Sequence, residues 1–437
     1  MRMTIRYRGV AVLALGVLLI AIGACDRKAD FPGPHKLVVI GFDAADWGEI
    51  DPLIEAGRLP VMKRYLDQST SGANMSFTPL EKSPLIWASM ATGLRPDQHG
   101  IGGFTRSIDA ELSTARDWRA PAFWHLAGEM DMTACVLGWW VTYPASAING
   151  VLVSDACSYT TEGFRDPAGL VRPDELSDEL MDLVVDYRDI TLAELGRFID
   201  LEQLAGHEEE LAYQLDELRV IIAGDRSYLE MARHLAATTD YDVFSVYFRG
   251  LDLTCHRFWE YHHPEVGPGV KDETARAVFA SVVPAYYEYC DEILGEMLAL
   301  FPADRPVMIL SDHGFHGSRQ RRGSWVGGVQ AHRPQGVYAV RSPIHEPGVR
   351  FDRTGIINVG PTILALMGLP PSADMPGVVI TDGMTPAGLR YAEKLEGNRV
   401  PSYASFAPAT DDSVMVEQDA EMDEAIKRQL KSLGYID

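Results

Sequence analysis

The chain has 437 residues, 46% of them hydrophobic, and a formal net charge of −23. That length and apolar content can bury a large core, most simply as one α/β domain with an insertion. No stretch is basic enough to neutralise phosphates, so nucleic acid is not an expected partner.

The first residues read as a targeting segment rather than a fold element. Arg2, Arg6 and Arg8 precede an apolar run from Gly9 to Ala24, which ends in Ile22-Gly23-Ala24-Cys25. Such a run is short for a spanning helix, which needs about 20 residues, and it fits the apolar region of a signal peptide. A cysteine directly after small residues resembles a bacterial lipobox. That resemblance implies a signal peptide over 1–24, cleavage before Cys25 and a diacylglyceryl anchor on the Cys25 sulfur. An uncleaved anchor or an ordinary signal peptide is the alternative, and each puts the folded part outside the cytoplasm. By the same resemblance, Asp26 favours retention on the periplasmic face of the inner membrane. Residues 25–35, with Pro32, Gly33 and Pro34, read as a tether, and 36–437 as the folded domain.

Lys36-Leu-Val-Val-Ile-Gly-Phe42 is a predicted strand with Asp43 at its end. From Asp46 to Leu66 the apolar positions follow a helical period, broken at Gly57 and Pro60. Strand, carboxylate, then helix is the opening of a doubly wound α/β fold. Pro84 to Met90, preceded by Ser83 and closed by Gly93, reads as a helix with a serine at its start. Ala120–Met130 is a predicted helix and Thr133–Gly138 the next parallel strand. Between 160 and 238 acidic amphipathic segments follow one another, such as 173–183 and 208–222, and read as a helical insertion that caps the site. Asp242–Phe248 and Pro306–Leu310 are further strands, with one helix over 273–300 between them. Cys135 and Cys157 are compatible with a disulfide in an oxidising compartment and equally with buried thiols.

The chemistry is concentrated in two stretches, Asp252-Leu-Thr-Cys-His256 and Ser311-Asp312-His313-Gly314, each just after a predicted strand. Each pairs a carboxylate with an imidazole, a donor set that suits Zn²⁺, with Mn²⁺ also compatible. Side chains at the C-terminal ends of parallel strands converge on one crevice. Two pairs therefore imply two divalent metal ions, with Asp43 as a third carboxylate. Ser83, at a helix N-terminus, is a weak nucleophile that metal coordination would strengthen. Cys255, among hard oxygen ligands, is not read as a ligand.

Taken in order, Asp43 after a strand, Ser83 ahead of Trp87 and Thr92-Gly93, His99-Gly-Ile, Asp252-x-x-x-His256, Ser311-Asp-His-Gly and Ala331-His332-Arg-Pro resemble the type I phosphodiesterase/nucleotide pyrophosphatase family of the alkaline phosphatase superfamily. Ile357–Pro370 and the terminal Leu433-Gly434-Tyr435 resemble its C-terminal pattern, and the likeness spans about residues 36–375. The resemblance implies a mostly parallel central sheet flanked by helices, with the helical insertion. It implies a metal-dependent hydrolase of phosphate esters, diesters more than monoesters. Asp252, His256 and His332 would hold one ion and Asp43, Asp312 and His313 the other, zinc being the family's usual metal. Ser83 would lie at or between them and pass through a phosphoseryl intermediate.

The family's asparagine beyond His-Gly-Ile is missing, because the region reads Gly102-Gly103-Phe104. That leaves oxyanion stabilisation to metals, backbone N–H groups or Lys82. A sulfatase pattern is absent too, since Leu85 and Trp87 occupy its positions. His99 is expected to brace the turn after the nucleophile helix, His316 to support the site, and His262 and His263 to lie at the surface without partners. Two other readings use the same residues. One is a transferase moving a phosphoalcohol from a lipid-derived donor. The other is a non-catalytic metal-binding lipoprotein that binds a partner.

Overall fold

The computed structural model describes residues 36–106, 111–162, 168–265, 272–317, 319–321, 324–326, 331–407, 420–432 and 435–436. The proposed signal peptide, Cys25 and the tether lie outside them. Among the described residues no helix is long and apolar enough to cross a membrane.

In chain order, β1 (Leu37–Phe42) leads into α1 (Trp47–Glu55) and α2 (Pro60–Leu66), the break falling at Gly57 and Pro60 as the periodicity requires. Next come β2 (Thr70–Met75), α3 (Ser83–Thr92), α4 (Phe123–Glu129), β3 (Ala134–Leu137), β4 (Gly150–Val153) and the short β5 (Val171–Arg172). A series of short helices leads to α5 (Ala212–Thr238), then β6 (Val243–Phe248) and α6 (Gly250–His262). The expected helix over 273–300 is two, α7 (Glu273–Phe279) and α8 (Val282–Ala299). They part at Ser281, whose hydroxyl donates to the Phe198 carbonyl at 2.8 Å. The chain continues with β7 (Val307–Leu310), β8 (Gly314–Phe315), β9 (His332–Arg333), β10 (Gln335–Arg341), β11 (Val349–Gly355), α9 (Val359–Met367) and α10 (Ala420–Ser432).

Nine strands form one sheet in the order β11-β2-β10-β7-β1-β6-β3-β4-β5. The block β7-β1-β6-β3-β4 is parallel throughout, while β10 runs antiparallel to both its neighbours and β5 antiparallel to β4. The fold is therefore α/β with a mostly parallel sheet between helices. β1 is buried along its whole length because helices cover both faces, which is why it reads as an unbroken apolar run. Alternate β1 residues enter opposite layers: Val38 and Ile40 pack into one core cluster, Leu37 and Val39 into the other. The 160–238 stretch is not purely helical, since it supplies the outer strand β5, and its long helix α5 packs against β6 and α6. Cys135, Cys157, Cys255 and Cys290 are all free and buried.

Candidate metal centre

Parallel strands that end side by side deliver their next residues to one place. Asp43 follows β1, and its amide donates to the Phe248 carbonyl at the end of β6 (3.0 Å). The chain then turns sharply, with Ala44 at φ 61°, a left-handed conformation costly for a residue with a Cβ. Asp312 and His313 lie just past β7. Asp252 is in the first turn of α6, and His256 one turn on, so both project from the same helix face. His332, on β9, is carried to the site by antiparallel pairing with Phe315 of β8. Ser83 opens α3.

All seven of these residues meet in one buried cluster. His313 Nε2 lies 3.3 Å from Asp43 Oδ1, 3.4 Å from Asp312 Oδ2 and 3.1 Å from Ser83 Oγ. Asp252 Oδ1 lies 3.4 Å from both His256 Nε2 and His332 Nε2, which are themselves 2.9 Å apart. The His313 and His332 rings stack at 3.7 Å, so the two groups abut.

These separations carry information. Two donors each about 2.0–2.1 Å from a tetrahedral zinc lie roughly 3.3–3.4 Å apart, whereas hydrogen-bonded N···O pairs fall at about 2.7–3.2 Å. Asp43 Oδ1, Asp252 Oδ1 and both Asp312 oxygens are buried without a hydrogen-bond donor. Orphaned carboxylate oxygens at such a depth are costly unless a cation meets them. Asp43, Asp312 and His313 form one donor group of metal-site dimensions, and Asp252, His313 and His332 another. His256 approaches the second group closely enough to join it. The residues fit divalent cations of zinc type.

Electrostatics point the same way. Burial and the neighbouring Asp312 and Asp252 carboxylates push Asp43 well above the usual carboxylate range. Burial pushes Asp312 up to about 7. Burial opposes ionisation of Asp252 as well, but the His256 and His332 imidazoles override it and hold Asp252 well below its usual value. Burial and His313 together push His332 down, so it stays a neutral donor.

Lys82 precedes α3 with its Nζ 6.0 Å from the centre of the Phe104 ring, and it forms no ion pair among the described residues. His99 braces α3 as expected, its Nε2 2.9 Å from Ser89 Oγ and its Nδ1 accepting from the Ile101 amide (3.2 Å). His316 turns its Nδ1 to the Gly317 carbonyl. The expectation for His262 and His263 fails: both face the Glu49 carboxylate, which α1 brings across from far away in sequence.

The family model described as type I phosphodiesterase/nucleotide pyrophosphatase matches residues 37–353. The chain belongs to that family. Type I phosphodiesterases are metal-dependent hydrolases of phosphoric esters. No curated protein matches the chain by sequence. Among solved structures, wild-type alkaline phosphatase PafA superposes at TM-score 0.50 with 11% identity, over 81% of this chain and 99% of that one. A PafA variant gives 0.51 at the same identity and coverage. These likenesses show an alkaline-phosphatase-like fold. Phosphonoacetate hydrolase from Sinorhizobium meliloti 1021 is 16% identical at TM-score 0.39, over 68% of this chain and 60% of that one, so the chain spans about three fifths of its length. Human ectonucleotide pyrophosphatase/phosphodiesterase 5 is 10% identical at TM-score 0.46, over 80% of this chain and 100% of that one.

Three groups to which the sequence analysis assigned no site role, one of them in the C-terminal pattern, complete the site of this phosphodiesterase-family chain. The Tyr247 hydroxyl donates to Asp43 Oδ2 and accepts from Trp140 Nε1 (2.6 Å). The Tyr435 hydroxyl, from the C-terminal pattern, donates to Asp252 Oδ2 at 3.0 Å and lies 2.7 Å from His256 Nε2. Arg249, buried at the end of β6 over the Tyr159 ring (4.0 Å), lines the same small cavity as Ser83. That cavity is covered by Gln429 and Leu430 of α10 and by Tyr435, and among the described residues none of 168–238 lines it. The only available signal for Arg249 was a lone arginine directly after an apolar strand.

Proposed function

We propose that the protein cleaves phosphate esters, preferentially diesters, with Ser83 as nucleophile and two divalent cations, zinc by donor type, held by Asp43, Asp312 and His313 and by Asp252, His256 and His332. The observation that carries this reading is the set of orphaned buried carboxylate oxygens around the Ser83 hydroxyl. When bound, the cations would supply Lewis-acid charge that makes the serine hydroxyl acidic and neutralises phosphoryl oxygens.

The chain's own groups do the rest. The start of α3 presents Ser83 Oγ with the positive end of the helix dipole behind it, which favours the alkoxide. Attack forms the Oγ–P bond and breaks the ester P–O bond, and the alcohol leaves with a proton. Water then displaces Ser83 from phosphorus and regenerates the hydroxyl. Arg249, in the cavity beside Ser83, and Lys82, next to Ser83 in the chain with its Nζ 6.0 Å from the Phe104 ring, are cations suited to the non-bridging oxygens, and they stand in for the amide missing at Gly102-Gly103-Phe104. Tyr247 and Trp140 hold the Asp43 carboxylate in one orientation.

The N-terminal pattern from Arg2 to Cys25 supports a lipid-anchored protein on the periplasmic side, which a Cys25→Ser variant released from the membrane fraction would bear out. Bis-p-nitrophenyl phosphate is the first substrate to try. Ser83→Ala should abolish its cleavage, by at least about 10³-fold, while metal content stays that of the wild type. Absence of cleavage by the metal-loaded wild type would instead favour the partner-binding reading.

A further inference from the structure

We propose that Glu49, His262 and His263 form an additional divalent-cation site of zinc type, outside the catalytic cluster, that ties α1 to the C-terminal end of α6. His263 Nε2 lies 3.4 Å from Glu49 Oε1, and His262 Nε2 lies 3.8 Å from Glu49 Oε2. The three donor atoms sit within metal-site dimensions of one another.

The outer ring nitrogens decide the argument. His262 Nδ1 lies 3.2 Å from the Ala280 carbonyl oxygen, and His263 Nδ1 lies 3.2 Å from Glu265 Oε1. Each partner is an acceptor, so each Nδ1 carries the hydrogen. With Nδ1 so engaged, each Nε2 is turned toward the Glu49 carboxylate. Glu49 holds His263 above the ordinary imidazole range, so positive charge is favoured between the three groups, and either a proton or a divalent cation can supply it. Imidazoles that bind metal characteristically give their other N–H to a carboxylate or carbonyl in this way. The end of α6 also presents the negative pole of its helix dipole, which favours a cation. All three side chains are part-exposed, at 16% to 29%, so an ion can enter from solvent.

The site has a structural consequence. α1 begins four residues after Asp43, and α6 carries Asp252 and His256. Trp259 packs against both His263 (4.7 Å) and Phe315 (5.0 Å), and Phe315 meets the His256 ring edge-on (4.9 Å). A cation at Glu49 would fasten α1, which starts four residues after Asp43, to α6, which carries Asp252 and His256, without touching a reacting atom.

The test is zinc per chain in untagged full-length protein at equilibrium with a zinc-buffered solution, for wild type, Glu49→Gln and the double variant His262→Gln/His263→Gln. Each variant should hold one zinc fewer than wild type and show a smaller zinc-induced rise in melting temperature. Equal zinc in all three would overturn the site and leave a plain carboxylate–imidazolium contact. Glu49→Gln is nearly isosteric, so it decides the question even where the double variant fails to fold. Because the comparison is a difference, a wrong count at the catalytic cluster would alter every total and leave the difference intact.

Discussion

The two halves of the catalytic cluster are built on different supports and are electrostatically opposite. Asp43, Asp312 and His313 sit at the ends of β1 and β7, adjacent strands in the middle of the sheet, where two carboxylates share one imidazole. Asp252, His256 and His332 sit on a helix and a two-residue strand, where one carboxylate faces two imidazoles and the Tyr435 hydroxyl. The first half is short of positive charge, so its carboxylates resist ionising. The second is already balanced, and Asp252 is held ionised. A rigid strand-end support thus goes with the half that depends most on a cation, while the balanced half is assembled from more distant pieces.

The largest effect expected to break this contrast is His313→Ala. Its Nε2 lies against both Asp43 and Asp312, and its ring stacks on His332, so its loss should lower occupancy of both ion positions. His256→Ala should lower only one. Replacing a residue that merely orients a ligand typically costs 10–100-fold in affinity or activity, so removing a ligand should cost at least about 10²-fold. Zinc content and diester cleavage measured together separate the two variants; equal metal loss from both would mean the halves are one inseparable unit.

Acidity sharpens the contrast in the metal-free protein. Asp312 has a folded pKa of about 7 against 3.8 for the free side chain. Its contribution to stability is therefore complete below about pH 4 and disappears as pH rises to about 7, and Asp43 acts with the same sign. Asp252, depressed by its imidazoles, acts oppositely: its contribution is present above the ordinary carboxylate pKa and is lost as pH falls through its lowered value. Measured against a chelated Asp312→Asn variant, which cancels the buried histidines His99, His125 and His345 that titrate in the same window with the opposite sign, chelated wild type should lose a few kcal/mol between pH 4 and 7, at about 1.4 kcal/mol per pKa unit. Metal-loaded protein should not, because the ion takes the proton's place. Denaturant melts at each pH, with and without chelator, read this directly. A chelated wild type that keeps pace with the chelated Asp312→Asn variant over that range would contradict the assignment of an uncompensated half.

What was legible in the sequence follows from distance along the chain. Asp43, the Asp252–His256 pair and Ser311-Asp-His313 each lie within a few residues of an apolar strand, and Ser83 opens a helix, so local pattern was enough to find them. Four strands of the parallel block, β1, β3, β6 and β7, were legible for the same reason, since helices separate them along the chain; β4, which follows β3 with no helix between, was not. Pairing direction at β10 and β5 was not, because nothing local distinguishes an antiparallel neighbour. Arg249, Tyr435 and the Glu49 carboxylate acquire their roles only through contacts across the fold; Glu49 meets His263 after 214 residues. Beside Ser83 the described cavity is lined by Gln429, Leu430 and Tyr435, while Tyr213, Glu217 and Ile221 of the 160–238 stretch line the adjoining cavity that shares Leu253 and Gln429 with it.

Tyr435→Phe asks how much the balanced half depends on the tail. The variant keeps the ring that packs on Phe104 at 4.6 Å and removes only the hydroxyl between Asp252 and His256. By the scale of ligand-orienting contacts, zinc affinity or turnover should fall by about 10-fold. The zinc held by Asp43, Asp312 and His313 should be unaffected, as competition with a graded chelator would show.

Tyr286→Phe gives the smallest effect and tests the helix that supports this half. Asp225 on α5 accepts from the Gly250 amide at 3.1 Å and from the Tyr286 hydroxyl at 2.8 Å, anchoring the first turn of α6 just before Asp252. Burial lifts Asp225 to about 6, and these two donors keep it from rising further. Losing the phenol hydroxyl should cost about 1.5–3 kcal/mol, the usual worth of one hydrogen bond to a charged group. It should also raise the Asp225 pKa, so the deficit against wild type is greatest above pH 6 and shrinks in acid. Turnover should change by less than about 3-fold, because the Gly250 amide still fixes the helix start. A much larger loss of turnover at unchanged stability would mean that the position of α6, rather than its charge balance, limits the Asp252 half.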